Sequence, residues 1–280
     1  MTSLAAGDGE HLADGTGPST PAGDNLVLDF VRGEAAAYAA LAQAIGGRVR
    51  HDAETGLSLS DMGSATPFGN TAHLTAPIRD RAATVAALHD FYGGEPGGPY
   101  MVFSPWPTPD LRDDGFLAVG HPPLMFRPPG PAVHERAAAT IPPTDSFRIE
   151  RAGNAAQLED FERVLIEAYP VTELQPHQPR TMLHPDVLES AWQFFVAYDG
   201  DRAVATAGAF VTDRITMVEL VSARPETRGR GVGAAVTAAA TLAAPDLPAL
   251  LISSDLGRGV YERLGYLPLL RYTLWIGTRA

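Results

Sequence analysis

Residues 217–240 read MVELVSARPETRGRGVGAAVTAAA. A β-branched, apolar run stops at Pro225, and a turn carrying Arg224, Arg228 and Arg230 follows. Three glycines then come at alternate positions, Gly229, Gly231 and Gly233, ahead of a helix of small residues. Glycine lets backbone amides turn inward with no Cβ in the way. The start of the helix adds unpaired N–H groups and the positive end of its dipole. Successive amides of this kind form an anion nest, and nearby arginines add charge-assisted bonds. The object such a turn would hold is a phosphate, most simply a pyrophosphate. Taken alone, the segment suits a glycine-rich connection with solvated arginines equally well.

Gly229-x-Gly231-x-x-Ala234 also satisfies the dinucleotide fingerprint, with Asp255 ending a later strand where a ribose-binding acid would sit. In that fold, however, the first glycine follows its strand closely. Here Arg224 to Arg228 intervene, with Pro225 among them. The downstream segment SSDLGRGVYERLGYLPL (residues 253–269) decides between the two, bringing Tyr261, Leu264, Gly265 and Tyr266 after a strand and a short helix. VSARPETRGRGVG resembles the acyl-CoA signature of the GNAT superfamily of N-acetyltransferases: a Val-x-small strand end, a proline, then Arg-Gly-x-Gly-x-Gly. SDLGRGVYERLGY resembles its second motif, Ser-x-x-Gly-x-x-Val-Tyr-x-x-Leu-Gly-aromatic. Order and spacing agree, and the resemblance covers about half the chain, residues 146–280.

The resemblance implies a mixed sheet flanked by helices and acetyl-CoA as co-substrate, with no metal. It implies that Val221, Ser222 and Ala223 end a strand that splays from its neighbour, leaving backbone groups for the pantetheine arm. Arg228, Gly229, Arg230, Gly231, Val232, Gly233 and Ala234 would hold the pyrophosphate. Tyr261 matches the position that donates a proton to the departing thiolate; the alternative is a tyrosine buried for packing. Transfer would run by direct attack of a primary amine, on a small molecule or a peptide. That amine must lose a proton first, and Glu219, between Val218 and Leu220, is the candidate base, because burial there would raise its pKa. Strand alternation puts Glu219 on one face with Val221 and Ala223. An exposed glutamate on a sheet surface fits the same pattern. All eight histidines lie at or before His184; His177 and His184 read as ordinary loop residues. Two rival readings stay open: an acyl-CoA sensor or interaction module without turnover, and an NAD-dependent oxidoreductase.

Working outward, 280 residues are comfortable for two domains. The fold class is α/β of the mixed α+β kind. Residues 1–24 are small, polar and punctuated by Gly and Pro, and read as a disordered tail. Residues 25–126 read as an α+β domain. A helix runs from a cap at Asp24 to Gly46–Gly47, and a hairpin turns at Thr55–Gly56. A second helix spans Pro77 to Tyr92, and YMVFS, FLAVG and LMFRP are strands. This order of elements suits a degenerate copy of the same fold, although no sequence repeat joins the halves and no second glycine run is present. Residues 127–145, with five prolines, read as a linker.

The net charge of −12 argues against broad nucleic-acid binding. The absence of cysteine removes disulfides and thiol chemistry. No apolar run is long enough to span a membrane and the first residues form no signal peptide, so a cytoplasmic enzyme is the expectation. A homodimer is compatible with the resemblance.

Overall fold

The computed structural model describes residues 26–94, 97–130, 147–169 and 171–279. The expected tail, the Asp24 cap and most of the expected linker lie outside them. The first half contributes α1 (Leu26–Ala44), β1 (Arg48–Asp52), β2 (Leu57–Asp61), β3 (Asn70–Leu74), α2 (Arg81–Tyr92), β4 (Tyr100–Ser104), β5 (Leu117–Gly120) and β6 (Pro123–Arg127). The second contributes β7 (Phe147–Arg151), α3 (Ala155–Ala168), β8 (Trp192–Asp199), β9 (Arg202–Val211) and β10 (Thr216–Ala223). After it come α4 (Val232–Thr241), β11 (Ala249–Ile252), α5 (Asp255–Arg263), β12 (Leu267–Arg271) and β13 (Thr273–Gly277).

Local chemistry sets the element ends. Asn154 caps α3 by accepting from Gln157 N at 3.0 Å, and Asp80 caps α2 by accepting from Ala83 N at 3.0 Å. The cap at Asp80 explains why α2 starts at Arg81 rather than at Pro77 as expected. Gly200, at φ 61°, closes the β8–β9 hairpin in the left-handed region that glycine tolerates. Two strands escaped the sequence reading. β3 (NTAHL) is polar and lies between loops, and β12 (LPLLR) contains Pro268 beside an irregularity in its pairing.

The two sheets share one plan. The first runs β1–β2–β3–β4–β13–β5 and the second β7–β8–β9–β10–β11–β6–β12. In each, a single pair is parallel, β3 with β4 and β10 with β11, and a helix makes the crossover. Among the described helices and strands, and apart from β7 and α5, the halves repeat each other element for element. Each lends its final strand to the other: β6 sits between β11 and β12, and β13 between β4 and β5. The sheets therefore do not divide at residues 127–145 as the chain does, because these strands find their open edges across the interface. The lone parallel pair also removes the dinucleotide-binding fold, which needs a mostly parallel sheet.

The core follows the exchange. One apolar cluster unites Phe30, Tyr38 and Leu41 of α1 with Phe161, Trp192 and Met217 of the second half. Trp192 Nε1 donates to the Ala37 carbonyl at 3.0 Å, and Arg214 pairs with Asp29 at 2.8 Å. At the chain's end, Arg279 grips Asp61 with two bonds of 2.6 and 3.0 Å, and Arg48 adds a third at 2.6 Å. Burial opposes the Asp61 charge, but the two guanidiniums and the Gly63 amide prevail and hold its carboxyl below the usual range.

Candidate active site

β10 pairs with β11 only at Thr216–Ala249 and Met217–Leu250, then runs on to Ala223 paired with β9 but not with β11. The expected splay lies there. Beyond it, β10 carries a bulge. Glu219 opposes Gly208 and Ser222 opposes Thr206, so one extra residue stands on β10. Leu220 absorbs it at φ 55°, in the left-handed region that non-glycine residues rarely adopt. Thr206 Oγ1 fills the bulge, donating to the Leu220 carbonyl at 3.2 Å and lying 2.9 Å from Ser222 Oγ.

The bulge corrects the expectation that Glu219, Val221 and Ala223 share a face. Alternation holds only in an unbroken strand. Glu219 follows the Met217 side, toward α1, while Val221 and Ala223 pack with Val218 against the core around α4. The splay nonetheless lets both faces reach one cavity. Its volume is about 610 Å³, and Glu219, Val221, Ser254 and Tyr261 line it from the second half.

Glu219 is half-buried at the wall. Burial raises its pKa well above the ordinary carboxylate value, and the charge of Glu34 on α1 raises it further. Tyr261 is buried on α5, which Ser254 caps by accepting from Gly257 N at 3.2 Å. Any Cβ at residue 257 would press on the Tyr261 ring, so Gly257 makes room for it. Burial, then Glu219 and Tyr169, push the Tyr261 pKa up, so the phenol stays protonated.

The turn ahead of α4 has the nest geometry. Gly229 and Gly231 stand at φ 78° and 82°, both left-handed. Gly231 is the N-cap and makes no side-chain cap. The first helical bond runs from Ala235 N to the Gly231 carbonyl at 3.0 Å, so the amides of Val232, Gly233 and Ala234 precede it. A Cβ on Gly233 would make only ordinary contact with Ala223, which leaves this position free for substitution. The arginines are otherwise engaged. Arg228 donates to the carbonyls of Ala223 and Ala168 at 3.2 and 3.1 Å. Arg230 pairs with Asp199 at 3.0 Å and lies over the Phe147 ring, and Arg224 pairs with Glu167 at 2.6 Å. The donors this turn leaves open are thus chiefly backbone.

Of the buried carboxylates that escaped the sequence reading, two bear on the site. Glu162 on α3 accepts from the amides of Arg180, Met182 and Leu183 and contacts His177 Nε2 at 2.9 Å, pinning the loop beside the cavity. His184 receives the Asp186 amide at 3.4 Å, so both histidines are loop residues. Glu34 is 1% exposed, and its Oε2 lies 3.3 Å from Nδ1 of His73, also 1% exposed. A signal existed for both. Val27, Val31, Glu34, Tyr38 and Leu41 make one helical stripe, and Leu158, Glu162 and Leu165 another, so each acid interrupts an apolar face. The first half also supplies cavity walls through Tyr38, Phe68, Met101 and Phe103, for which the sequence offered no sign. No group of three or more His, Cys, Asp or Glu that could hold a metal ion occurs among the described residues, and no described helix is long and apolar enough to cross a membrane.

Residues 190–268 match the family model of an acetyltransferase (GNAT) domain. Among solved structures, a GCN5-related N-acetyltransferase from Kribbella flavida is 22% identical; the match covers 87% of this chain and 95% of that one, at a TM-score of 0.58. A functionally unknown conserved protein from Staphylococcus epidermidis is 14% identical over 84% and 96%, at 0.61. A GCN5-related N-acetyltransferase-like protein from Streptococcus suis is 13% identical over 90% and 99%, at 0.53. At such identities the likeness is one of fold, and it spans both halves. No curated protein matches the chain. Residues 190–268 thus match a GNAT acetyltransferase domain, and strand β6 from the preceding half lies in the same sheet as the strands of that segment.

Proposed function

We propose that the chain transfers an acetyl group from acetyl-CoA to a primary amine by direct attack. The observation that carries this reading is the convergence of Glu219, Tyr261 and the open end of β10 on one cavity, with an uncapped helix N-terminus following β10 in the chain. The amides of Gly229, Gly231, Val232, Gly233 and Ala234 would hold the pyrophosphate, while that of Arg230 is spent on the Thr227 carbonyl; the backbone of Val221, Ser222 and Ala223 would receive the pantetheine arm as an added strand. The residues fit the co-substrate because the cradle presents backbone donors and no competing carboxylate cap.

Glu219 takes one proton from the ammonium form of the acceptor. The freed nitrogen pair forms the C–N bond at the thioester carbonyl, and the C–S bond breaks with its electrons on sulfur. Nitrogen loses a second proton and sulfur gains one, so ammonium plus thioester gives amide, thiol and one proton returned to solvent. A thiol, with a pKa of about 8.5, is a stronger acid than a phenol raised above 10. Tyr261 therefore serves the leaving sulfur chiefly as a hydrogen-bond donor, poised where negative charge develops. The raised pKa of Glu219 brings it closer to the working range of a base.

Thiol release from acetyl-CoA with a panel of amines tests the reading, together with titration of acetyl-CoA. One site per chain and amine-dependent release are expected. Tyr261→Phe should lower kcat by about 10²-fold with acetyl-CoA affinity unchanged. Tight binding with no release for any amine would favour the sensor reading instead.

A further inference from the structure

The cavity has two unlike sides. On one stand Glu219, Tyr261 and the start of α5, where acyl transfer is proposed. The other is built by the first sheet, α1 and the turn before β3: Tyr38, Phe68, Met101, Phe103, Val119 and, on the exchanged strand β13, Leu274. All six are aromatic or aliphatic. Among the described residues, two carboxylates line the cavity, Glu219 and Asp255, and Asp255 begins α5, where the helix dipole already meets its charge. Near the exchanged strands the lining turns cationic: Arg271 donates to the His121 carbonyl at 2.7 Å, and both residues line the space. Phe68 and Tyr169 meet edge to face at 5.3 Å, one from each half, and remain 37% and 40% exposed.

From this lining we infer that the acceptor is a monoamine on an apolar body, an alkyl- or arylalkylamine, rather than a polycation. The inference rests on the acetyl-transfer reading and deepens it. One ammonium has a carboxylate to meet at Glu219. A second or third would lie against apolar walls without a counter-ion, which is costly, or would face Arg271. An apolar body instead covers Phe103, Met101 and Leu274 and removes their surface from water. The exposed Phe68–Tyr169 pair then gains a neighbour for its apolar surface on binding, and aromatic faces also tolerate a passing ammonium.

The test measures kcat/KM for thiol release by the full chain at saturating acetyl-CoA, with hexylamine and 2-phenylethylamine against spermidine and a triamino sugar. The monoamines should lead by about tenfold or more. Phe68→Ser, at a partly exposed position that the core does not need, should raise KM for 2-phenylethylamine several-fold and leave acetyl-CoA affinity unchanged. Equal or better turnover of spermidine, or an unchanged KM in Phe68→Ser, overturns this inference while leaving acetyl transfer in place. No release with any amine, with acetyl-CoA still bound, overturns the transfer reading and this inference with it.

Discussion

The crossover helix of the first half, α2, begins under a side-chain carboxylate; its counterpart in the second, α4, begins under a bare glycine. Asp80 satisfies the Ala83 amide and places a negative charge where an anion would dock. Gly231 leaves the corresponding amides open. The strands before these helices differ in the same sense. β3 stays paired with β4 at Thr71, Ala72 and His73, whereas β10 leaves β11 after Met217. Where α5 presents Tyr261, the first half has no helix between β4 and β5 apart from one short turn at Arg112–Asp114. One fold, used twice, is thus closed in one copy and open in the other. The difference lies in a cap, a strand pairing and a helix, not in the sheet order. The closed copy is not idle, because it completes the open one with strand β6, cavity walls and the charge of Glu34.

The largest effect expected of the open half is on catalysis. Glu219→Gln should lower kcat/KM near neutrality by about 10²–10⁴-fold, and raising the pH should recover part of the rate by supplying neutral amine. In the native protein the rate should fall on the acid side at a pH above the ordinary carboxylate value, since the ionised form is required and its pKa is raised. The folded protein also holds that proton more tightly than the unfolded chain. Stability is therefore lost as pH rises from the unfolded pKa through the folded one, and the glutamine variant should melt higher than wild type at pH 8 but not near pH 4. A wild-type pH profile in the variant would move deprotonation to another group.

The exchange of strands makes the next prediction. Removing Arg279 leaves the buried Asp61 with Arg48 and the Gly63 amide, so Arg279→Ala should cost about 3 kcal/mol, near the low end for a broken buried pair. Melting should fall by roughly 6–12 °C. A fall under about 2 °C would mean that β13 needs no clamp beyond its pairing.

Cofactor binding separates the halves directly. Gly233→Asp adds the charge that Asp80 supplies in the first half, at a position where a Cβ fits. It should weaken acetyl-CoA about tenfold or more in a titration while leaving the fold intact, because an acid suits a helix start. The reciprocal Asp80→Gly should not create a second site, since β3 and β4 remain paired. Two sites in that variant would show that the cap alone keeps the first half closed.

The smallest effect tests what the closed half lends. Counting from the parallel pairs Thr71–Met101 and Met217–Leu250, His73 stands two residues along β3 as Glu219 stands two along β10. Glu34 faces His73 and also raises Glu219. Glu34→Gln should move the acid limb of kcat/KM to lower pH, and Glu34→Asp should largely keep it in place. An unmoved limb in Glu34→Gln would confine Glu34 to packing.

Much of this was written locally. The glycines at 229 and 231 need left-handed backbone, Pro225 ends a strand, and Tyr261 follows a capped start at Ser254; each depends on residues within a turn or two, so each is legible from the chain. Helices α3 to α5 and the hairpins β1–β2 and β8–β9 are legible for the same reason, since their hydrogen bonds close between near neighbours. What only the tertiary structure decided depends on partners far apart in the chain. β6 and β13 read as ordinary strands, and nothing in their residues says that each completes the other half's sheet. The bulge at Leu220 needs the register of β9 across from it, so strand alternation misplaced the face of Glu219. Glu34 reads as one acid in an alanine-rich helix until burial against His73, and the reach of its charge to Glu219, give it a place beside the cavity. A strand carries no label for its edge partner and a carboxylate none for its dielectric, because both are properties of the packed whole.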